Sequence, residues 1–255
     1  MPQMNARTQD VYAIVLAAGA GRRMGSTTNK IFLLVGGQPI LARTLDLFET
    51  HPDITKVLLV APAGQVNECT QRIVEPFGFT KVTQVVPGGE TRHDSEYRGL
   101  LALEPEIKSG VCRIVLIHDA VRPFVTRTEI DQLISEARRS GAAIPAVRAG
   151  SSIVAADADG YVEGPPGDVW AAQTPQAFDS ALVLKAHHEA AEAGFHGTDT
   201  ASVMERAGHS VSLIPGTTSN IKITTSDDLI LAEQFARHSL RTGVDQPLCR
   251  GSIHV

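Results

Sequence analysis

Strand-like and helix-like segments alternate along the first 147 residues, and this alternation limits the fold more than any other feature. Apolar, β-branched runs at 11–16, 57–61, 82–86, 113–118 and 142–147 predict strands. Segments with helical spacing at 39–49, 64–77, 94–103 and 128–140 predict helices, the last behind a threonine N-cap. The alternation predicts an α/β fold, with a mostly parallel sheet covered by helices on both faces. Ligands of such sheets bind beyond the carboxyl ends of the strands, so we expect the ligand-binding residues to follow Leu16, Val86 and Ile117.

Residues 148–168 interrupt the alternation and predict a hairpin. Two extended pieces flank a turn at 157–160, where the Asp159-Gly160 pair is a hairpin signal. A hairpin inserted in an α/β sheet is expected to project as an arm. The predicted organisation is a flexible N-terminus at 1–10, one domain at 11–240 that includes the arm, and a poorly ordered tail at 241–255.

The overall composition excludes several classes of protein. A net charge of −5 over 255 residues gives no sign of the basic surface that binds nucleic acid, so a phosphate ligand must be held by local charges. No apolar run approaches the length of a membrane span, and the polar N-terminus does not predict a signal peptide. Cys69, Cys112 and Cys249 form neither a metal pattern nor an even disulfide set, which favours a reducing compartment and a cytoplasmic protein.

The segment after the first predicted strand has the composition of a phosphate-binding loop. Gly19 and Gly21 tolerate tight backbone angles and close approach of a ligand, and Arg22, Arg23 and Lys30 supply cations. Exposed backbone N–H groups in such a loop also suit phosphate oxygens. The alternative is an ordinary glycine-rich turn with solvated arginines.

Two common nucleotide motifs do not match this loop. In the dinucleotide fingerprint G-x-G-x-x-G, the third glycine allows close helix–strand packing, and Met24 stands at that position here. In the P-loop pattern a glycine is followed by lysine, whereas Gly19 and Gly25 are neither correctly spaced nor followed by one. Met24 therefore disfavours a dinucleotide-dependent oxidoreductase.

Polar groups follow two further predicted strands. Asp119 comes directly after the 113–118 run, where it can approach a divalent cation or a sugar hydroxyl, and Arg122 suits a second anion. The alternative is an acid that caps a turn and pairs with the arginine. Residues 88–95, GGETRHDS, offer two glycines for close approach and Ser95 to contact a base edge. Further along, Lys222 lies in a β-branched run, where a lysine is ordinarily a solvated edge residue.

The nine histidines form no clear metal motif. His187 and His188 are adjacent, but the helix predicted for them is polar, so we expect both to face water. No nucleophile motif such as Gly-x-Ser-x-Gly occurs.

Six motifs occur in one order over residues 12–234: LAAGAGRRM with a following NK, GGETRHDS, HDAVRPFV, WAAQTPQAF, TDTAS and NIKITTSDDLILAE. Together they resemble the IspD family, the 2-C-methyl-D-erythritol 4-phosphate cytidylyltransferases, and the related ribitol-5-phosphate cytidylyltransferases share most of them. The resemblance implies a Rossmann-like nucleotidyltransferase fold and a β-arm exchanged between the subunits of a homodimer. It also implies CTP and a polyol phosphate as substrates and Mg²⁺ as the cofactor.

The resemblance assigns roles to individual positions. It places Ala17, Ala18, Gly19 and Gly21 at the cytidine and phosphates of CTP, and Gly89, Glu90 and Ser95 around the cytosine. Arg23 and Lys30 match the family pair that stabilises the transition state. Asp119 matches the acid beside the metal and ribose, and Arg122 the arginine on the acceptor side. Thr198 and Lys222 match residues that position the acceptor phosphate, and Lys222 also counts among the catalytic cations.

Departures from the family pattern lie on the acceptor side. Thr200 stands in place of the second Asp of Thr-Asp-Asp-Ala-Ser, and in the arm Ser152 keeps the hydroxyl of an Asp-Thr pair as an acceptor-binding candidate. Pro166 aligns with an arginine expected to bind the acceptor phosphate, which a proline side chain cannot do. Arg148 lies four residues before Ser152 and would share its face in an extended arm, so we expect Arg148 to supply the missing charge.

The predicted reaction is cytidylyl transfer from CTP to 2-C-methyl-D-erythritol 4-phosphate, with release of pyrophosphate. Ribitol 5-phosphate or another small polyol phosphate is the alternative acceptor. A non-catalytic nucleotide-binding module is the alternative from another class. Cations on both sides of the transferred phosphorus favour the enzyme, because binding alone would not need them.

Overall fold

The computed structural model describes residues 10–19, 29–150, 155–156, 162–164 and 168–242. Its strands are β1 (Val11–Leu16), β2 (Leu34–Val35), β3 (Gln38–Pro39), β4 (Ile54–Ala61), β5 (Val82–Pro87), β6 (Ile114–Asp119), β7 (Ala142–Arg148), β8 (Ala155–Ala156), β9 (Val162–Gly164), β10 (Trp170–Ala172), β11 (Gln176–Asp179) and β12 (Ser212–Pro215). Its α-helices are α1 (Ile40–Thr50), α2 (Val66–Cys69), α3 (Arg92–Ala102), α4 (Glu104–Lys108), α5 (Arg127–Ser140), α6 (Ser180–Glu192), α7 (Thr200–Arg206) and α8 (Ser226–Thr242).

An eight-stranded sheet forms the centre, in the order β10-β7-β11-β6-β1-β4-β5, with β12 paired to β7. β1 lies between β4 and β6 and pairs with both in parallel, and β4 also pairs with β5 in parallel. β11 runs antiparallel between β6 and β7, and β10 pairs antiparallel with β7. The predicted α/β fold with a mostly parallel sheet is confirmed, with an antiparallel insertion beside β6.

The central strands form because apolar side chains cover both of their faces. Every residue of β1 and β6 is buried, as expected for parallel strands between two layers of helices. Side chains alternate across a strand, so Val15 belongs to one core with Phe48, whereas Ile14 belongs to the other with Leu100. These two cores hold the carboxyl ends of β1, β5 and β6 together at one edge of the sheet.

Several helix boundaries differ from the sequence prediction for local reasons. α3 begins two residues early, at Arg92, because Thr91 and Asp94 form a capping box around its start. The segment predicted as one helix at 64–77 is the short α2 followed by a π-helical turn at Thr70–Val74. There the Thr70 hydroxyl donates to the Val66 carbonyl (3.1 Å), which competes with the regular backbone ladder.

The predicted arm is present as paired strands. β8 and β9 pair antiparallel in a two-stranded sheet separate from the central one, and the predicted turn at 157–160 lies outside the described residues. The division into terminus, domain and tail stays a prediction. None of the helices among the described residues is long and apolar enough to cross a membrane.

Candidate active site

A cavity of about 620 Å³ opens at the carboxyl ends of β1, β5 and β6. The loops after these strands line it, together with the first turn of α3, the 3-10 turn at Lys30–Phe32 and the segment before α8. The residues predicted from the sequence that the structure places at this cavity are Ala17, Ala18, Gly19, Lys30, Gly89, Glu90, Ser95, Asp119 and Lys222. The three segments expected to meet at this edge of the sheet therefore do meet.

Gly88 and Gly89 pack the loop after β5 closely against its neighbours. A Cβ on Gly88 would lie 2.3 Å from the Cβ of Ala18, and one on Gly89 would lie 2.2 Å from the Cβ of Asp94. The Gly89 N–H donates to the Ser95 hydroxyl (3.1 Å), which donates to the Thr91 carbonyl (2.9 Å). Only glycine fits at these two positions, and the packing fixes Ser95 in the cavity wall.

Asp119 is the buried acid of the cavity, and three cations surround it. Lys222 Nζ lies 2.8 Å from Oδ2, Arg92 Nε lies 3.2 Å from Oδ1, and Arg122 Nε lies 3.9 Å from Oδ2. Burial would raise the pKa of this carboxyl, but the charges of Arg92, Lys222 and Arg122 outweigh burial and hold the pKa well below its usual range. Asp119 is therefore ionised at neutral pH and keeps the cations clustered.

The backbone of the irregular segment at 220–224, just before α8, accepts hydrogen bonds from two cationic side chains. Lys30 Nζ donates to the Ile223 carbonyl (3.2 Å), and Arg122 donates to the Asn220 carbonyl (2.7 Å). Lys222 belongs to this segment and not to a strand, and its ammonium faces Asp119. The interpretation of Lys222 as a solvated edge residue, drawn from its local sequence, is therefore wrong.

A chain of buried hydrogen bonds supports the loop after β6. Thr174 Oγ1 accepts from the Asp119 N–H (3.1 Å) and lies 3.0 Å from His118 Nδ1, while His118 Nε2 lies 3.0 Å from the Arg122 carbonyl. A carbonyl oxygen can only accept, so we infer that His118 Nε2 carries the ring proton and donates to the Arg122 carbonyl. In the neutral ring Nδ1 is then an acceptor, and the Thr174 hydroxyl donates to it. Burial lowers the pKa of His118 to about 4, so the ring is neutral at pH 7.

Sequence reasoning missed Arg92 and Glu96, on the first two turns of α3. Arg92 lines the cavity and bridges two acids, since its Nε faces Asp119 and its Nη1 donates to Glu96. Burial raises the pKa of Glu96 to about 7, against the charge of Arg92 and a hydrogen bond from Thr200. The T-x-x-D capping pattern was the signal that could have found Arg92, because it sets where the helix starts.

His187 and His188 have different surroundings, which corrects the prediction that both face water. His188 is partly exposed, and its Nδ1 lies 2.8 Å from the Tyr97 hydroxyl. His187 is fully buried, and its ring stacks on His93 with 5.0 Å between centroids. The polar sequence of α6 favours a solvated face, but α3 packs on that face and removes His187 from water.

Three further predicted positions, among the residues that the structure describes, do not line the cavity. Arg148 forms an exposed ion pair with Asp168 at the end of β7, and Thr198 is exposed just before α7. Arg122 is the third, and its Nε lies 3.9 Å from Asp119 Oδ2. The positions outside the described residues are Gly21, Arg23, Ser152 and Pro166.

The donor set of the cavity fits Mg²⁺ only as an ion that arrives with a phosphate ligand. Carboxylates among the described lining residues come from Asp119 and Glu90, and both oxygens of Asp119 already face cations. Mg²⁺ commonly takes one or two protein carboxylates and completes its shell with substrate phosphates and water. Asp119, whose ionised carboxylate lines the cavity, would be the protein ligand of such an ion.

A second group of donor atoms lies at the opposite end of β4. His51, Asp53 and Asp131 bring their ligand atoms within 4.8 Å of one another. The Asp53 N–H donates to His51 Nδ1 (3.3 Å), so the neutral ring carries its proton on Nε2, which faces Asp131 at 3.2 Å. A protonated nitrogen cannot ligate a metal, so the geometry is that of a histidine–aspartate pair.

The fold and the cation-lined cavity define an α/β nucleotidyltransferase, and solved structures of such enzymes are similar. The 4-diphosphocytidyl-2C-methyl-D-erythritol synthase of Anaerococcus prevotii matches with a TM-score of 0.77 at 31% identity, covering 89% of this chain and 98% of that one. The 2-C-methyl-D-erythritol 4-phosphate cytidylyltransferase of Thermus thermophilus matches with a TM-score of 0.69 at 32% identity, covering 88% and 98%.

The family model of IspD, 2-C-methyl-D-erythritol 4-phosphate cytidylyltransferase, matches residues 11–238. The chain therefore belongs to the IspD family of cytidylyltransferases. The enzyme of that name from Geobacter metallireducens is 41% identical over 232 residues, which cover 90% of this chain and 99% of the relative. The bifunctional enzyme IspD/IspF of Desulforudis audaxviator is 45% identical over 233 residues, and the match covers 88% of this chain and 56% of that longer relative.

Proposed function

We propose that this protein transfers the cytidylyl group of CTP to 2-C-methyl-D-erythritol 4-phosphate, releasing pyrophosphate and forming 4-diphosphocytidyl-2-C-methyl-D-erythritol, an isoprenoid precursor. The observation that carries the proposal is the cavity in which Lys30, Arg92 and Lys222 gather with the buried Asp119, in a chain of the IspD family. Fixed cations at the ends of parallel strands suit two polyanionic substrates.

The reaction needs positioning and charge more than it needs a covalent partner. An oxygen of the acceptor phosphate attacks the α-phosphorus of CTP in line, and a new P–O bond forms. The bond from that phosphorus to the bridging oxygen breaks, and pyrophosphate leaves with the electron pair. The two substrates repel each other, so preorganised cations lower the barrier by offsetting this repulsion and the charge on the pentavalent phosphorus.

The proposed roles divide the residues between the two substrates. On the nucleotide side, the residues at the base, ribose or phosphates of CTP are Ala17, Ala18, Gly19, Gly21, Gly89, Glu90, Ser95 and Asp119. The cations at the transferred phosphoryl group are Arg23, Lys30 and Lys222. On the acceptor side, the candidates are Arg122, Ser152, Thr198, Lys222 and Arg148. Support comes from the position of the described members of the first two groups around one cavity.

Mg²⁺ belongs to this proposal as the partner of the CTP phosphates, with Asp119 as its protein ligand. When bound, such an ion supplies Lewis-acid stabilisation to phosphate oxygens. The chain's own contribution is to hold Lys30 and Lys222 by the segment at 220–224 and to keep the Asp119 carboxylate ionised.

We also propose a homodimer through the β8–β9 arm and a cytoplasmic location, without nucleic-acid or membrane partners. The arm forms its own sheet, and Trp170, at the start of the adjacent β10, is 46% exposed. Cys69 and Cys112 are both free and buried, which supports a reducing compartment. Light scattering at several protein concentrations tests the dimer.

An assay of pyrophosphate release tests the proposed reaction. CTP is offered with Mg²⁺ and a panel of acceptors that includes 2-C-methyl-D-erythritol 4-phosphate and ribitol 5-phosphate, and the other nucleoside triphosphates replace CTP in parallel. We expect release with CTP and the methylerythritol phosphate. Preference for ribitol 5-phosphate would change the acceptor, and no release with any acceptor would favour a nucleotide-binding module.

The Lys30→Ala variant tests the role of one cavity cation. We expect the variant to fold and to lose on the order of 100-fold or more in kcat, the usual effect of removing one preorganised donor from a developing charge. Lys185→Ala is the matched control, because Lys185 is an exposed lysine on α6. A kcat near that of the unsubstituted enzyme in Lys30→Ala would contradict the assignment.

A further inference from the structure

Glu96 is a fully buried acid on α3 that no role described so far requires. An isolated buried carboxylate is costly unless it is paired and hydrogen-bonded. Its Oε1 accepts from Arg92 Nη1 and from the Thr200 hydroxyl (2.8 Å), so the carboxylate joins the start of α3 to the start of α7. These contacts offset part of the cost of burial at Oε1, whereas Oε2 has no hydrogen-bond partner among the described residues. The cationic partner of Glu96 is Arg92.

Arg92 is held at two points by two different acids. Its Nε lies 3.2 Å from Asp119 Oδ1 on β6, while Nη1 contacts Glu96 one turn further along α3. A planar guanidinium that is fixed through two of its nitrogens has a defined orientation, which a single contact would not give. Arg92 lines the cavity, so the orientation imposed by Glu96 is an orientation within the nucleotide site.

The sequence departure at Thr200 has a structural counterpart here. Where the sequence resemblance leads us to expect a second aspartate, this chain has a hydroxyl, and that hydroxyl donates to the same Glu96 oxygen that Arg92 contacts. A carboxylate at position 200 would thus be within reach of the Arg92 guanidinium. In this chain the acid that contacts Arg92 lies on α3, and α7 contributes the hydroxyl.

We propose that Glu96 is a positioning residue, whose carboxylate aligns Arg92 in the nucleotide cavity and does so in place of an acid at position 200. The proposal rests on the proposed function only in naming CTP as the ligand. Replacing the Glu96 carboxylate removes one of the two acids that contact the Arg92 guanidinium and leaves Asp119 as the other, so the guanidinium loses its fixed orientation. The effect falls on the nucleotide, whereas the acceptor side keeps Arg122 and Lys222.

The test moves the carboxylate from one helix to the other. In Glu96→Gln we expect the KM for CTP to rise about tenfold, with a smaller change in the acceptor KM. Adding Thr200→Asp to that variant should restore the KM for CTP to within about threefold. Thr200→Val, which keeps the Glu96 carboxyl group and removes its hydrogen bond from position 200, is the control and should have the smaller effect. A purely packing role for Glu96 would not be rescued by an acid on α7.

Calorimetric titration of CTP, without acceptor, separates this proposal from the proposed reaction. If the unsubstituted enzyme releases pyrophosphate but Glu96→Gln binds CTP unchanged, the positioning role is overturned and the reaction stands. If no acceptor supports release but CTP binding weakens in Glu96→Gln and recovers with Thr200→Asp, the positioning role stands alone. Should Glu96→Gln fail to fold, Arg92→Lys takes its place. That variant should weaken CTP binding to a similar extent, and unchanged binding would overturn the role.

Discussion

Replacing His187 with leucine measures how much a buried imidazole lowers the free energy of unfolding at the contact between α3 and α6. The ring has no exposed surface and stacks on His93. Neither ring nitrogen has a hydrogen-bond partner among the described residues. Leucine has a comparable size and no polar atoms, so it suits such a site better than histidine does at neutral pH.

The magnitude follows from the pKa of His187. Burial, with smaller contributions from His93, His188 and Arg92, lowers this pKa to about 3, against about 6.5 for an unfolded histidine. Between those values the unfolded chain binds the proton and the folded chain does not, so the free energy of unfolding falls as the pH falls from 6.5 towards 3. At about 1.4 kcal/mol per pH unit, His187 removes about 2 kcal/mol of stability between pH 6.5 and 5.

Urea unfolding at pH 8 and pH 5 provides the assay. His187→Leu should lose about 2 kcal/mol less than the unsubstituted protein between these values, and at pH 8 it should be at least as stable, because two unpartnered nitrogens are removed. Some pH dependence remains in the variant, since burial also lowers the pKa values of His93 and His118. His188→Leu is the control at the adjacent, partly exposed position.

Two results would refute this reasoning. One is a His187→Leu variant that loses as much stability at pH 5 as the unsubstituted protein does. The other is a His188→Leu variant that shows the same relief as His187→Leu, because the effect would then not depend on burial.

Two further predictions concern the acceptor and the loop after β5. Arg148→Ala should raise the KM for the acceptor roughly tenfold, the effect of losing about 1.4 kcal/mol, and leave the KM for CTP unchanged in steady-state kinetics. Asp168→Asn, which removes the present partner of Arg148, should not raise the acceptor KM, and an unchanged KM in Arg148→Ala would exclude its role. Gly88→Ala should cost about 1–3 kcal/mol in urea unfolding and raise the KM for CTP, because the new methyl group would lie 2.3 Å from Ala18 Cβ. Gly64→Ala is the control, since its Cβ would meet nothing within 4 Å, and equal losses in both variants would contradict the packing argument.

The strands that could be predicted from the sequence are those whose burial shows in a continuous run of apolar residues. β1 and β6 are continuous apolar runs, and each is found within a residue of its predicted bounds. The cavity could be located because the carboxyl ends of parallel strands share one edge of the sheet. These inferences need only neighbours in the sequence and the general geometry of α/β folds.

The support beneath the site could not be predicted in the same way. Thr174 contacts His118 and Asp119 across more than fifty positions of the chain, and Arg122 finds its carbonyl partner at Asn220. No local pattern encodes such pairings, which depend on how β11 inserts beside β6. The prediction that His187 faces water was wrong for the same reason, since its polar neighbours in sequence are not its neighbours in space.

The Asp119 carboxylate has a consequence for which anions the cavity admits. Before any ligand arrives, it already neutralises part of the charge of Arg92 and Lys222. A monovalent anion such as chloride must therefore compete with the Asp119 carboxylate for each cation, so little binding free energy is gained. A polyphosphate carries enough charge to bind several of these cations together and to replace the Asp119 carboxylate as their partner. The cavity is thus selective for multiply charged anions, and it remains available to a nucleotide in a solution with a high salt concentration.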